Sequence, residues 1–184
     1  MFLFIKTIKT DLARYQEPSL FSFVRRLLFD TNFCTVVLYR LAHQLYLWGV
    51  PLLPKVVMNL NKVLFSAEIS YTAKIGMGLR INHSIGVVIG GGVNIGENFT
   101  TNQGVTIGGN FGKKRFEQGI NYSQPQIGNN TSVSAGARIL GPVIVGDHVI
   151  IGANSVVLKD IENSMVAVGA PAKAIKQRSD TNGY

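Results

Sequence analysis

Three histidines, His43, His83 and His148, are the groups of this chain suited to carry a proton near neutral pH. His83 follows Ile81-Asn82, and Glu68 stands 15 residues before it. A carboxylate within reach of an imidazole bonds one ring nitrogen, fixes the tautomer and raises basicity. The other nitrogen then takes a proton from a hydroxyl, which is the work of a general base. A histidine of ordinary pKa, about 6.5, is neutral and ready for that task at pH 7. The same spacing also admits a histidine that is only structural. His43 lies in an apolar helical stretch, Arg40-Leu-Ala-His-Gln-Leu, and reads as a packed residue. His148 follows Gly146-Asp147 and reads as a solvated corner residue.

The element that must position His83 and Glu68 is a repeat. Ile69, Ile75, Ile81, Ile89, Ile95, Thr101, Ile107, Ile127, Val133, Ile139, Val145, Ile151 and Val157 form a series whose step is six, with two exceptions. Twelve of these 13 positions are Ile or Val, types that make up about a fifth of the chain, so chance does not explain the series. Gly, Asn or Ser follows 11 of the 13 markers, and such residues tolerate tight corners. Each unit reads as a short strand plus a corner, and three units close a triangular coil. The expected fold is mainly β, a left-handed parallel β-helix of hexapeptide repeats under an N-terminal α-helical cap. A helix would need a period of 3.6 and a half-buried strand a period of two.

The step lengthens to eight between Ile81 and Ile89, around His83, and to 20 between Ile107 and Ile127. A solenoid lets a loop out at such places without disturbing its stack, and function concentrates there. The expected organisation is a helical cap over 1–67, a β-helix domain over 68–176 with an extruded loop at 109–126, and a frayed polar tail at 177–184. In the cap, Leu20, Phe23, Val24, Leu27 and Leu28 share a helix face after Pro18-Ser19. Asp30-Thr31-Asn32 opens a second helix that ends before Gly49-Val50-Pro51, and Lys55 to Phe65 forms a third.

The formal net charge is +8 over 184 residues, and residues 1–67 hold eight basic and three acidic side chains. No basic run exceeds three residues and no nucleic-acid signature accompanies it, so nucleic acid is not expected as a partner. A polyanionic small molecule, or peripheral contact of the basic first third with a membrane, suits the distribution better. The sole cysteine, Cys34, cannot form an internal disulfide, which favours a reducing, cytoplasmic location, in part at the inner face of the membrane. Met1 to Ile5 is apolar but followed at once by Lys6, Lys9 and Asp11, unlike a signal peptide.

These segments carry a family resemblance. The repeat resembles the left-handed β-helix acyltransferases. Tyr39-Arg40-Leu-Ala-His43-Gln-Leu45, Ala67-Glu68-Ile69-Ser70, Ile81-Asn82-His83-Ser84-Ile85-Gly86, Gly104-Val105-Thr106-Ile107-Gly108-Gly109 and Val168-Gly-Ala-Pro-Ala-Lys173 resemble the serine acetyltransferase family and its polysaccharide O-acetyltransferase relatives. The resemblance implies His83 as general base with Glu68 as its acidic partner, acetyl-CoA as co-substrate, and no metal. It implies a pantetheine arm along Gly108, Gly109, Ala135 and Ala153, with Lys159 and Lys173 for the CoA phosphates. It also implies a homotrimer with each site between two prisms.

The acceptor positions depart from the serine-specific pattern. Asn82 stands where those members have Asp, Ser123-Gln124 where they have Arg-His, and Glu17-Pro18-Ser19 resembles their Asp-Pro-Ala. Glu17, Asn82, Ser123 and Gln124 are therefore the expected acceptor contacts. The neutral ones suit hydroxyl groups, so the expected acceptor is a saccharide, free or lipid-linked, in polysaccharide biosynthesis. The alternative is serine O-acetylation in cysteine biosynthesis. A zinc hydratase on the same prism would need three histidine ligands, and the prism carries only His83 and His148. A non-catalytic scaffold is the remaining class.

Overall fold

The computed structural model describes residues 2–117 and 119–178. The prism has three faces of parallel strands. Face A stacks β1 (Glu68–Ile69), β4 (Val88–Ile89), β7 (Thr106–Gly108), β12 (Arg138–Leu140) and β15 (Val156–Val157). Face B stacks β2 (Lys74–Ile75), β5 (Asn94–Ile95), β10 (Gln126–Ile127) and β13 (Ile144–Val145). Face C stacks β3 (Arg80–Ile81), β6 (Thr100–Thr101), β11 (Ser132–Val133) and β14 (Ile150–Ile151), and closes with β16 (Met165–Gly169). The last strand, β17 (Ala172–Gln177), folds back antiparallel on β16. The chain winds as the expected left-handed β-helix, and markers fall in register: Ile69 opposite Ile89, Ile89 opposite Ile107, Ile107 opposite Ile139.

All 13 marker side chains are buried. A second inward row lies two residues before the markers, including Ala73, Leu79, Val87, Val93, Phe99, Val105, Ala137, Val143 and Val149. The marker ends each two-residue strand and the residue just before the strand also turns to the axis, so the core has two side chains per step. Each fully buried Ile or Val of this kind contributes about 1.5–3 kcal/mol, and their sum holds strands too short to be stable alone. The residue after the marker must be small where corners stack. A Cβ at Gly96 would lie 2.5 Å from Asn129 Oδ1 and 2.8 Å from the Asn129 nitrogen. Asn98, Asn130 and His148 take the left-handed conformation at the same edge, so His148 is a corner residue.

The cap holds α1 (Phe2–Ala13), α2 (Leu20–Phe29), α3 (Thr31–Leu47) and α4 (Leu53–Phe65). The first is not among the helices expected from the sequence; its first turn holds no acidic residue and its last turn no basic one. Ser19 caps α2 and Asp30 caps α3, its Oδ1 accepting from the Asn32 and Phe33 amides at 3.0 and 3.2 Å. The cap is bolted to the prism by a buried cluster. Asp11 accepts from Arg40 Nε at 2.8 Å and Nη2 at 3.1 Å, and its Oδ1 also accepts the Gly78 and Leu79 amides, each at 2.8 Å. Arg40 in turn donates to the carbonyls of Ile75 at 2.6 Å and Gly76 at 2.7 Å. Tyr39 donates to the Ala73 carbonyl, and Tyr15 bonds both the amide and the carbonyl of Ile81.

Two boundaries differ from the expectation. The extruded segment is not plain loop: β8 (Arg115–Glu117) and β9 (Ile120–Tyr122) pair as an antiparallel hairpin. Gln177, expected to open a frayed tail, closes β17. Arg178 beyond it donates through Nη1 to the Asn130 carbonyl at 3.0 Å and through its amide to Ser164 at 2.7 Å. Side chains that could bond backbone neighbours won over the polar composition that suggested fraying. The remainder of that tail, 179–184, lies outside the described residues.

Candidate active site

His83 sits on the edge where face C turns into face A. The corners above it on that edge are four residues, as at 102–105, whereas 82–87 has two more. The extra pair is His83-Ser84, and the structure treats the two oppositely. Ser84 is buried; its amide donates to Asn32 Oδ1 at 2.8 Å and its hydroxyl to the Phe65 carbonyl at 3.4 Å. His83 faces solvent and, among the described residues, makes no hydrogen bond. Asn82 is fixed on the other side, its Oδ1 accepting from Arg80 Nε at 2.9 Å and its Nδ2 donating to Asn102 Oδ1 at 3.2 Å. The imidazole thus projects from a corner whose two neighbours are clamped. That rigidity is what a proton-transfer group needs.

Glu68 flanks the same edge. Its amide donates to the Val87 carbonyl at 2.8 Å, and it pairs across the ladder with Val88, directly after the His83 corner. Its carboxylate does not bond His83. Glu68 Oε2 takes Lys62 Nζ, from the last turn of α4, at 2.5 Å. Oε1 has no partner among the described residues.

Most of the other expected positions divide between two edges. Ala135 and Ala153 lie above His83, on the C-to-A edge. Gly109, Ser123, Gln124 and Lys159 lie on the A-to-B edge, and Gly108 ends β7 beside them. Gln124 is laid over a glycine patch: a Cβ on Gly109 would meet its Nε2 at 3.0 Å, and one on Gly92 its Cγ at 3.4 Å. Its Oε1 is buried without a partner. Lys159 joins Lys113, Arg115, Asp160 and Asn110 around a cleft of about 380 Å³ at the root of the hairpin. Arg115 donates to Asp160 there at 2.5 Å. Lys173 is exposed on β17, paired with Val168. Glu17 is exposed between α1 and α2. His148 stands on the B-to-C edge, so the prism's two histidines do not converge on one point.

Sequence reasoning missed Lys62 and Arg80. Neither has a motif; the turn out of α4 carries Lys62 to Glu68, and Arg80 reaches Asn82 two residues on along the chain.

A clamped, solvent-facing imidazole on a three-faced hexapeptide prism defines the class of hexapeptide-repeat acyltransferases. Residues 124–159 match the family described as "Bacterial transferase hexapeptide (six repeats)". The serine acetyltransferase of Synechococcus elongatus is 36% identical over 172 residues, which is 92% of this chain and 68% of that protein. Among solved structures, serine acetyltransferase from Neisseria gonorrhoeae in complex with serine superposes with a TM-score of 0.80 at 32% identity, covering 94% of this chain and 69% of that one. Serine acetyltransferase from Brucella abortus in complex with coenzyme A gives 0.81 at 29%, covering 95% and 68%. The chain belongs to the serine acetyltransferase family, and it is an acyltransferase.

This overturns the saccharide acceptor expected from Asn82, Ser123 and Gln124. Relatives matched along nearly the whole chain bear the name of the alternative. The site also weakens the original argument. In the fold each polar atom of the Asn82 amide already holds one protein partner, and Gln124 lies over glycines.

Proposed function

We propose that this chain transfers the acetyl group of acetyl-CoA to the hydroxyl of L-serine. The observation that carries the reading is the two-residue bulge that presents His83, bare and exposed, in a chain whose relatives are serine acetyltransferases. His83 takes the hydroxyl proton as the serine oxygen attacks the thioester carbonyl. The tetrahedral oxyanion collapses, the C–S bond breaks, and the imidazolium returns its proton to the CoA sulfur. Glu68 flanks the same edge and would bring its unpartnered Oε1 to the imidazole, a bond not made in this structure, while Lys62 holds Oε2. Glu17 receives the acceptor's ammonium.

Acetyl-CoA runs along the coils, past Ala135 and Ala153 on one prism and Gly108 and Gly109 on the next. A backbone N–H at Gly108-Gly109 faces the oxyanion, and Lys159 and Lys173 meet the phosphates. Because these groups occupy two different edges of one chain, a complete site needs two prisms side by side, and a homotrimer provides three. The enzyme works in the cytoplasm, where a lone thiol stays reduced. Its cap also meets an anionic membrane surface. Leu20, Phe21, Val24, Leu27 and Leu28 form one exposed stripe on α2, with Arg25 beside it.

The test is thiol release from acetyl-CoA with and without L-serine. The wild type is expected to show saturable, serine-dependent release, and His83→Ala to lose about a hundredfold or more. Release that ignores serine, or an undiminished His83→Ala variant, refutes the proposal.

A further inference from the structure

Two guanidiniums lie together on face C, Arg80 three residues before His83, and neither forms an ion pair with a carboxylate among the described residues. Arg80 stands on the outer side of β3. Its Nε is spent on Asn82, and its terminal nitrogens make no hydrogen bond among the described residues. The guanidinium carbon lies 5.7 Å from the centre of the Tyr15 ring, which supports the plane from one side. Arg14 reaches the same place from the cap. Its Nη2 donates to Thr100 Oγ1 at 3.0 Å and its Nη1 to the Asn98 carbonyl at 3.2 Å. Thr100 is the ladder partner of Arg80, so the two cations are neighbours. Burial, and then the charge of Arg80, lower the pKa of Arg14, and Tyr15 and the Asp11 carboxylate offset this in smaller part.

The carboxylates of the cap are engaged elsewhere or stand apart. Asp11 is wholly buried and saturated by Arg40 and two amides. Asp30 caps α3 and holds Arg26. Glu17 is exposed and forms no ion pair among the described residues. Two adjacent like charges that form no ion pair repel each other, and an anion bound between them relieves that repulsion. The residue that might have neutralised Arg80, at position 82, is an amide. Asn82 orients the guanidinium without removing its charge, and it is the chain neighbour of His83.

We propose that Arg80, steadied by Tyr15 and with Arg14 beside it, receives the carboxylate of the amino-acid acceptor whose hydroxyl His83 deprotonates. The inference rests on the serine reading above and assigns it a residue. It also accounts for the neutral Ser123 and Gln124: the cation for the carboxylate comes from face C instead of the hairpin root. The fork geometry of a guanidinium suits a carboxylate in two parallel hydrogen bonds.

The experiment compares L-serine with L-serinamide, which keeps the hydroxyl and ammonium but lacks the carboxylate. Arg80→Gln is expected to raise the KM for serine about thirtyfold, with serinamide and kcat each changed by less than about threefold. Arg80→Lys is expected to fall between, since it keeps charge without the fork. Serine-saturable wild-type release together with an unchanged serine KM in Arg80→Gln overturns this inference alone. So does an equal rise for serine and serinamide. A wild type that does not respond to serine overturns the serine reading and this inference with it.

Discussion

Replacing Asp11 by Ala tests how the cap is held. The carboxylate is fully buried and takes four hydrogen bonds, two from Arg40 and two from the Gly78 and Leu79 amides. Its loss strands a guanidinium that is only 5% exposed and leaves both amides without an acceptor. Removing one partner of a buried pair costs about 3–5 kcal/mol. Over a chain of this length that lowers the melting temperature by about 10 °C. Calorimetry at pH 7 on wild type and variant, at matched protein concentration, measures it. The double variant Asp11→Leu/Arg40→Met separates two explanations. A simple ion pair is replaced by apolar groups at little cost. Here the pair also satisfies the Gly78 and Leu79 amides and the Ile75 and Gly76 carbonyls, so the double variant should recover less than about half of the loss. A single variant within about 1 kcal/mol of wild type, or a double variant that melts with it, refutes the reasoning.

Three further predictions concern other parts of the molecule. Lys62→Met releases Glu68 from a half-exposed ion pair worth under about 1 kcal/mol, so kcat should stay level or rise by up to about threefold; a tenfold fall would place Lys62 in the machinery itself. Burial raises the Tyr39 phenol from 10.0 to about 12, so its contribution is full below pH 10 and is lost as pH climbs through about 12. Tyr39→Phe should therefore melt lower at pH 7 but lose less stability than wild type between pH 9 and 11, read by thermal melts; parallel curves would contradict this. Vesicles containing phosphatidylserine should co-sediment the wild type, and Phe21→Asp/Leu28→Asp should cut the bound fraction severalfold; equal sedimentation would remove the membrane contact.

The prism was legible because its signal is a strict spacing of one residue type, and every marker from Ile69 to Val157 is buried. The second inward row was hidden, since Ala73, Leu79, Phe99 and Thr131 share burial but not type. The His83 bulge could be read from a step of eight in place of six. Its two-way split, Ser84 inward and His83 outward, depends on Asn32 and Phe65 in the cap, which no spacing reveals. The acceptor residues misled for a related reason. Asn82 looked like a free amide in the sequence, and only the fold shows Arg80 and Asn102 upon it. Arg14 and Arg80 are far apart in the chain, and no motif links them; Tyr15, bonded to Ile81, is what draws them together.

Both ends of the coil stack are sealed. Helices α3 and α4 lie against the first coil, and β17 doubles back over the last, touching β15 as well as β16. Exposed strand edges at the two ends would let one molecule continue into the next, growing a fibre without limit. With those termini plugged, growth along the axis is forbidden and association is left to the flanks. Contacts made sideways about a common axis can close after a fixed number of copies, whereas end-to-end stacking has no such limit.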